Sequence, residues 1–338
     1  MTSSSNASRR RWLAGAAAVA ASVAALLLGA PSAAQTPRVE LRIGYQKSAS
    51  LFVLQKAQGT LERRLAASNV GVRWVEFPAG PQLLEGLNVG SVDVGYVGEA
   101  PPIFAQAAGA NFVYVGHEPA APEAEAIVVA KESPIRSVAD LKGKRIALNK
   151  GSNVHYLLVR ALEKAGLKYS DVQPVFLAPA DARAAFEKGA VDAWAIWDPF
   201  LAAVEKQTGA RIVADGRGGV ANNFPFVLAE RGFAAKHPDV INILFDEAVV
   251  QGRWLKSNLK QAAAIIAPLQ GLDAEVVELA LRRYQFGVTP LTPAIAAEQQ
   301  KLADAFYELK LIPKPVRITD ALPDNVVKTA SSAKEGGE

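Results

Sequence analysis

The feature that most constrains this chain is a repeated α/β unit. Gly90-Ser91-Val92-Asp93-Val94 has its counterpart in Gly189-Ala190-Val191-Asp192-Ala193, and the same offset places Phe77 on Phe176. With a shift of a few residues, Ile43 to Ser48 falls on Ile146 to Gly151. Each copy reads as strand, helix, strand, helix, strand. Val39 to Tyr45 alternates with the period of a strand, and Leu51, Leu54, Leu61 and Leu65 recur as on a helix. Arg73 to Phe77 is strand-like, Gly80-Pro81 opens a helix, and Val92 to Val97 reads as a buried strand. In the second copy a strand at Lys144 to Leu148 precedes a helix with apolar positions Val154, Leu157, Leu158, Ala161, Leu162 and Ala165, which Gly166 stops. Alternation of this kind predicts crossover connections and a mainly parallel sheet in each of two similar lobes. Open α/β sheets bind ligands at the carboxyl ends of their strands, so two facing lobes predict a cleft there. Past Gly232 the spacing turns helical over Asp239 to Leu255, Lys260 to Ala267, Asp273 to Tyr284 and Pro293 to Leu309, segments expected to pack on the first lobe.

The first 34 residues follow another logic. Three arginines and no acidic residue precede an Ala/Leu-rich run from Leu13 to Gly29, and Pro31-Ser32-Ala33-Ala34 supplies small residues for cleavage. That order predicts an export signal over residues 1–34. Ser8-Arg9-Arg10-Arg11-Trp12-Leu13 fits the twin-arginine pattern, with ordinary secretion as the alternative route. Losing the three arginines takes the formal charge from +4 to +1, so no nucleic-acid surface is expected. There is no cysteine, hence no disulfide, thiol nucleophile or lipid-bearing cysteine, and a soluble periplasmic location is expected. A polar tail over 326–338 is expected to be flexible.

The chemistry should sit where strands hand over to helices. Four junctions share small or hydroxyl residues and a helix start: Gln46-Lys47-Ser48-Ala49-Ser50, Gly98-Glu99-Ala100-Pro101-Pro102, Gly151-Ser152-Asn153 and Trp197-Asp198-Pro199. In the last, Asp198 reads as the N-cap and Pro199 as the first helical residue. A helix start offers unpaired N–H groups and about half a positive charge, so it attracts anions without Lys or Arg. One such junction is only a cap, but four at strand ends, two per lobe, point to an anion cleft. His155 faces away from the Val154/Leu158 stripe, as a solvated side chain or a ligand contact. Trp194 and Trp197, three apart on a strand, face opposite sides, leaving Trp197 to line the cleft. Glu99 either accepts a hydrogen bond or complements a helix start. Asn222-Asn223 before Phe224-Pro225-Phe226 either returns the chain across the lobes, with Asn223 donating amide hydrogen bonds, or forms a turn. The three histidines, His117, His155 and His237, lack metal-ligand spacing, and no nucleophile elbow, phosphate loop or dinucleotide fingerprint occurs. No metal or cofactor is expected.

These residues carry a resemblance. Gly44-Tyr45-Gln46-Lys47, Glu76 to Leu84, Gly98 to Ala107, Lys150 to Tyr156, Ala180 to Phe186 and Val191 to Pro199 resemble the aliphatic sulfonate-binding proteins, relatives of taurine- and nitrate-binding proteins. The likeness runs from about Val39 to Lys314. It implies an α/β, two-lobed periplasmic binding protein of type II, with mixed sheets flanked by helices and the ligand cleft between lobes. One lobe would combine residues 38–122 and 224–325, and the other would hold 123–223. It also implies capture by hinge closure, delivery to an ABC importer permease and its ATPase, and a monomer. Carried over by position, Gln46, Ser48, Gly98, Glu99, Ser152, Asn153, His155, Trp197 and Asp198 would contact the ligand. Val97 departs from the threonine that relatives often carry before the Gly-Glu/Asp pair, which removes a hydroxyl donor and would favour more apolar sulfonates. The same architecture also carries other small-anion binders and pyrimidine-synthesis enzymes, but those enzymes use a cysteine-rich motif absent from this chain.

Overall fold

The computed structural model describes residues 39–323, so the expected export signal and the tail at 326–338 lie outside the described residues. β1 (Val39–Tyr45), α1 (Ser50–Gln58), α2 (Thr60–Ala66), β2 (Val70–Glu76), α3 (Gly80–Asn88), β3 (Val94–Val97), α4 (Ala100–Ala107) and β4 (Phe112–His117) come first. The chain then crosses to β5 (Glu125–Val129), β6 (Arg145–Leu148), α5 (Asn153–Lys164), β7 (Gln173–Phe176), α6 (Pro179–Glu187), β8 (Ala193–Trp197), α7 (Phe200–Thr208) and β9 (Arg211–Asp215). It crosses back into β10 (Phe226–Glu230) and continues as α8 (Arg231–Lys236), α9 (Pro238–Ser257), α10 (Leu259–Gln270), α11 (Ala274–Leu281) and α12 (Pro293–Glu308).

The two sheets have the same plan, ordered β2-β1-β3-β10-β4 and β7-β6-β8-β5-β9. In the first, β1 runs parallel to β2 and β3, and β10 is antiparallel to β3 and β4. In the second, β6 runs parallel to β7 and β8, and β5 is antiparallel to β8 and β9. Each half therefore carries one reversed strand, supplied in both cases by the chain just after it crosses over. The two crossings lie side by side: Ala121 N–H donates to Asn222 O at 3.1 Å, and Glu118 N–H donates to Pro225 O at 2.9 Å.

The sequence repeat has an atomic basis. Asp93 stands just before β3 and accepts the backbone N–H of Arg42 on β1 at 2.8 Å; Asp192 stands before β8 and accepts that of Arg145 on β6, also at 2.8 Å. In each copy the aspartate N–H also donates to the carbonyl of the same arginine. One carboxylate thus pins two strands at their entrance, and the strands' carboxyl ends are aligned as a consequence.

Two expectations need correction. The helical run from Leu51 to Leu65 is two helices, because Gly59 adopts a left-handed φ of 61° that redirects the chain while Leu51, Leu54, Leu61 and Leu65 all stay buried. The C-terminal helices do not all belong with the first sheet. Val277 and Leu281 of α11 join the apolar cluster containing α1 and β1, but Val276 and Ala280 close on Ala202 and Ala203 of α7, in the second half.

The two aspartates differ in shielding, with side chains 8% and 35% exposed. Asp93 also accepts from the Arg42 guanidinium at 2.5 Å, whereas Arg145 Nε stays 3.6 Å from Asp192. In urea unfolding, Asp93→Ala is expected to cost about 2–4 kcal/mol and Asp192→Ala about 1 kcal/mol or less. Equal losses would contradict this assignment.

Candidate functional site

A narrow cavity of about 40 Å³ lies where the carboxyl ends of β1, β3, β6 and β8 meet. It is lined by Gln46 and Ser48 after β1, Gly98 after β3, Ser152 and Asn153 at the start of α5, and Trp197 at the end of β8. Asn223 and Pro225 of the return crossing and Tyr284 beyond α11 complete much of its wall. Among the described residues, no lysine or arginine lines it.

Asn153 joins the parts. Its Oδ1 accepts the Ala100 N–H at 3.1 Å, and its Nδ2 donates to Asn223 Oδ1 at 2.6 Å. Asn223 adopts a left-handed φ of 53°, and its Nδ2 donates to Ala121 O at 2.8 Å. The Asn153 carboxamide therefore ties the first half, the second half and the return crossing together, and that of Asn223 carries the link on to the first crossing. Gly98 makes this approach possible: a Cβ there would lie 2.3 Å from Asn153 Nδ2 and Oδ1, well inside any real contact. Gln46 is fixed from below, with Nε2 donating to Tyr96 O at 3.2 Å.

The four junctions are not equivalent. At α4 the Ala100 amide is taken by Asn153, and at α7 the Ala202 amide is taken by Asp198 Oδ1 at 2.9 Å. Helices α1 and α5 have no side-chain cap, so their starts, one from each half, are the ones able to offer N–H groups to an anion. Ser152, at the cap position of α5, turns its hydroxyl to Asn149 O at 2.7 Å instead. Pro199 is not the first helical residue of α7 as expected; the helix begins at Phe200, and Asp198 reaches over Pro199 to Ala202.

Six of the nine residues carried over by position, together with Asn223, stand in the cavity wall, and three stand behind it. Glu99 accepts from Asn223 N–H at 3.1 Å and Phe224 N–H at 3.0 Å, so its carboxylate holds the return crossing and is not presented to the cavity. Burial pushes its proton affinity up to a pKa of about 7, against the pull of those two amides. Asp198 faces Arg283 with both oxygens, at 3.2 and 3.1 Å. Burial raises it to about 6 despite the guanidinium. His155 is not solvated: it is 1% exposed, lies against Phe104 at 6.3 Å and Phe306 at 6.2 Å, and has Nε2 2.9 Å from the Tyr169 hydroxyl. Val97 lies in the apolar cluster with Leu83, Ile103 and Phe226, away from the cavity wall. Trp194 and Trp197 divide as expected, Trp194 packing on Phe186 at 5.9 Å while Trp197 faces the cavity.

Sequence reasoning missed Tyr96, Pro225 and Tyr284. Tyr96 sits near the end of β3 with its hydroxyl donating to Glu118 at 2.5 Å, and strand-end position was a usable signal. Tyr284 stacks on Phe286 at 5.9 Å and comes from far along the chain, where no local pattern marks it.

The environment of His155 has a measurable consequence. Desolvation, with Lys150 assisting, lowers its pKa to about 4, whereas the unfolded chain titrates near 6.5. Between those values the folded state binds fewer protons, so its stability is full above about pH 6.5 and is lost as pH falls through 4, by up to about 3 kcal/mol. In urea unfolding from pH 7 to 4, the wild type should lose stability relative to His155→Phe, whereas parallel profiles would refute the assignment.

Residues 68–251 match the family model described as NMT1/THI5 like. The periplasmic aliphatic sulphonate binding protein SsuA of Escherichia coli is 48% identical in a match covering 85% of this chain and 98% of that one, with a TM-score of 0.77. The alkanesulfonate-binding protein SsuA from Xanthomonas axonopodis pv. citri, solved bound to MOPS, is 44% identical, covers 84% of this chain and 98% of its own, and superposes with a TM-score of 0.81. The taurine-binding periplasmic protein of Escherichia coli (strain K12) is 30% identical over 64% of this chain and 66% of its own length. With the duplicated sheets and the shared cleft already in place, this chain belongs to the NMT1/THI5-like family, among its aliphatic sulfonate-binding proteins.

Proposed function

We propose that the protein captures an aliphatic sulfonate in the periplasm and delivers it to the permease and ATPase of an ABC importer. The observation that carries this reading is the convergence of Gln46, Ser48 and Gly98 with Ser152, Asn153 and Trp197 on one cation-free cavity. A sulfonate is a weakly basic monoanion with three acceptor oxygens, so it is better served by several neutral donors than by one strong counter-charge. The uncapped starts of α1 and α5 supply partial positive charge from two directions. Ser48 and the Gln46 amide add polar groups, and Trp197 offers an apolar face to the first carbons of an alkyl chain. The headgroup touches both halves, so bound ligand favours their apposition. Residues 38–122 with 224–325 and residues 123–223 are the two lobes that part and close, with α11 between them. The working unit is a monomer that binds without cofactor or metal and performs no chemistry.

Isothermal titration with methanesulfonate, 1-butanesulfonate, MOPS, taurine, sulfate and nitrate tests the ligand class. Heat is expected from the alkanesulfonates, and silence from all of them would sink the proposal. Binding should also change tryptophan emission, and Trp197→Phe should remove most of that change; a full signal in this variant would assign it to Trp74, Trp194 or Trp254. Gly98→Ala should weaken binding by roughly tenfold or more, about 1.4 kcal/mol, because its methyl displaces Asn153. Wild-type affinity in that variant would mean that the Gly98–Asn153 approach is dispensable.

A further inference from the structure

Helix α11 presents two apolar stripes one residue apart. Val277 and Leu281 face the core of the first half, while Val276 and Ala280 face Ala202 and Ala203 of α7 in the second. Just beyond it, Arg283 reaches across the same boundary. Its Nη1 donates to both oxygens of Asp198 at 3.2 and 3.1 Å, and its Nη2 donates to Glu205 at 2.6 Å. The side chains of Arg283 and Asp198 are 12% and 1% exposed, so water and salt screen this bridge weakly. Its neighbours in the chain give it leverage. Asp198 follows Trp197 and Arg283 precedes Tyr284, and both of those aromatic residues line the cavity. The Arg283 guanidinium is occupied by two carboxylates and is absent from the cavity wall.

We propose that Arg283 is a positioning residue for ligand capture: its bridge to Asp198 and Glu205, seated on the α11–α7 seam, latches the closed form and sets the rate at which ligand leaves. This rests on the reading of the cavity as a sulfonate cleft that must open for release. In an open form the three charges return to water, so the bridge acts mainly on the closed state and hence on dissociation. Opening must part either the α11–α7 seam or the contact of α11 with the first half. The seam to α7 is the smaller of the two, four buried alanine and valine residues with Leu272 and Leu279 packed against them, and the bridge is what reinforces it.

Rapid-mixing measurement of tryptophan emission, with 1-butanesulfonate as the probe, tests the latch. Arg283→Met should raise the dissociation rate by about tenfold or more while the association rate changes little. Glu205→Gln should raise it less, and Arg283→Lys should restore part of the loss. The Arg283→Met, Glu205→Gln double variant should release no faster than Arg283→Met alone, because both changes break one bridge. An unchanged dissociation rate in Arg283→Met, or single effects that simply multiply, overturns the latch. Should Arg283→Met fail to fold, Glu205→Gln carries the kinetic test by itself, and an unchanged rate there has the same meaning. Absence of any wild-type signal with 1-butanesulfonate would count against the sulfonate reading and leaves the latch to be read by hydrogen exchange on ligand-free protein. There the arginine or glutamate variant must speed exchange in α7 and α11 together and leave α9 unchanged; wild-type rates in α7 and α11 overturn it.

Discussion

The Asn153 carboxamide, pressed against Gly98, is the contact on which the arrangement of the site depends. It takes the first free amide of α4, engages Asn223 in the return crossing and, by its position, starts α5. A side chain able both to donate and to accept is needed, because its partners are an N–H on one side and a carbonyl oxygen on the other. An aspartate could not donate to Asn223 Oδ1, and an apolar residue would leave both partners buried without hydrogen bonds. Glycine opposite it is required by distance alone. Satisfying α4 in this way leaves α1 and α5 as the starts with free capacity, which moves the positive end of the site to a line between the two halves.

Such a site must also tolerate the acids around it. Glu99 and Asp198 adjoin cavity-lining residues in sequence, and Glu125 pairs across strands with Trp197. Glu125 is fully buried, and neither of its carboxylate oxygens has a hydrogen-bond partner. Three negative charges beside an anion would oppose binding through a low dielectric. Burial offsets this by raising the proton affinity of all three carboxyl groups, most strongly for Glu125, where Glu99 and Asp215 reinforce the effect. Arg283 further compensates Asp198. The acids are therefore compatible with an anion cavity because they are poorly solvated: Glu99 and Asp198 are buried where they hold the return crossing and the start of α7, and Glu125 where β5 passes between β8 and β9.

The duplicated unit was legible in sequence because its signals are local: an aspartate before a buried strand, a helix stripe of period 3.6, and small residues at each strand end. Those same strand ends brought Gln46, Ser48, Gly98, Ser152, Asn153 and Trp197 to one place. β4, β5, β9 and β10 were not singled out, since runs such as Phe112-Val113-Tyr114-Val115 and Ala126-Ile127-Val128-Val129 are apolar without alternation and carry no period. Tyr284 was invisible because it arrives from more than eighty residues beyond Trp197, through a helix that straddles both halves. The solvated alternative for His155 fails for an instructive reason. One apolar stripe on α5 accounts for its packing on the second sheet, and a residue off that stripe looks solvated. The opposite side of the helix is covered by Phe104 and Phe306 from the other half, which no pattern within α5 can announce.

The cavity is consequently bordered by two seams of different physics. On one side Phe104 and Phe306 meet His155 and Tyr156, with Tyr156 and Phe306 packed edge to face at 5.6 Å. On the other, small apolar residues of α7 and α11 lie beside the Arg283 bridge. The aromatic seam gains from contact area and is nearly indifferent to ionic strength. The ionic seam depends on geometry, since desolvated charges attract strongly only when they are well aligned and lose much when one partner moves. A molecule that captures its ligand by closure, as proposed above, would benefit from that division. On that proposal the aromatic surfaces supply a forgiving attraction as the halves approach, and the bridge becomes favourable only at full apposition, with Trp197 and Tyr284 in the wall. On the same proposal, discrimination between a ligand that permits complete closure and one that holds the halves slightly apart falls to the charged side of the cleft, where Arg283 bonds Asp198 and Glu205 and all three lie outside the cavity wall.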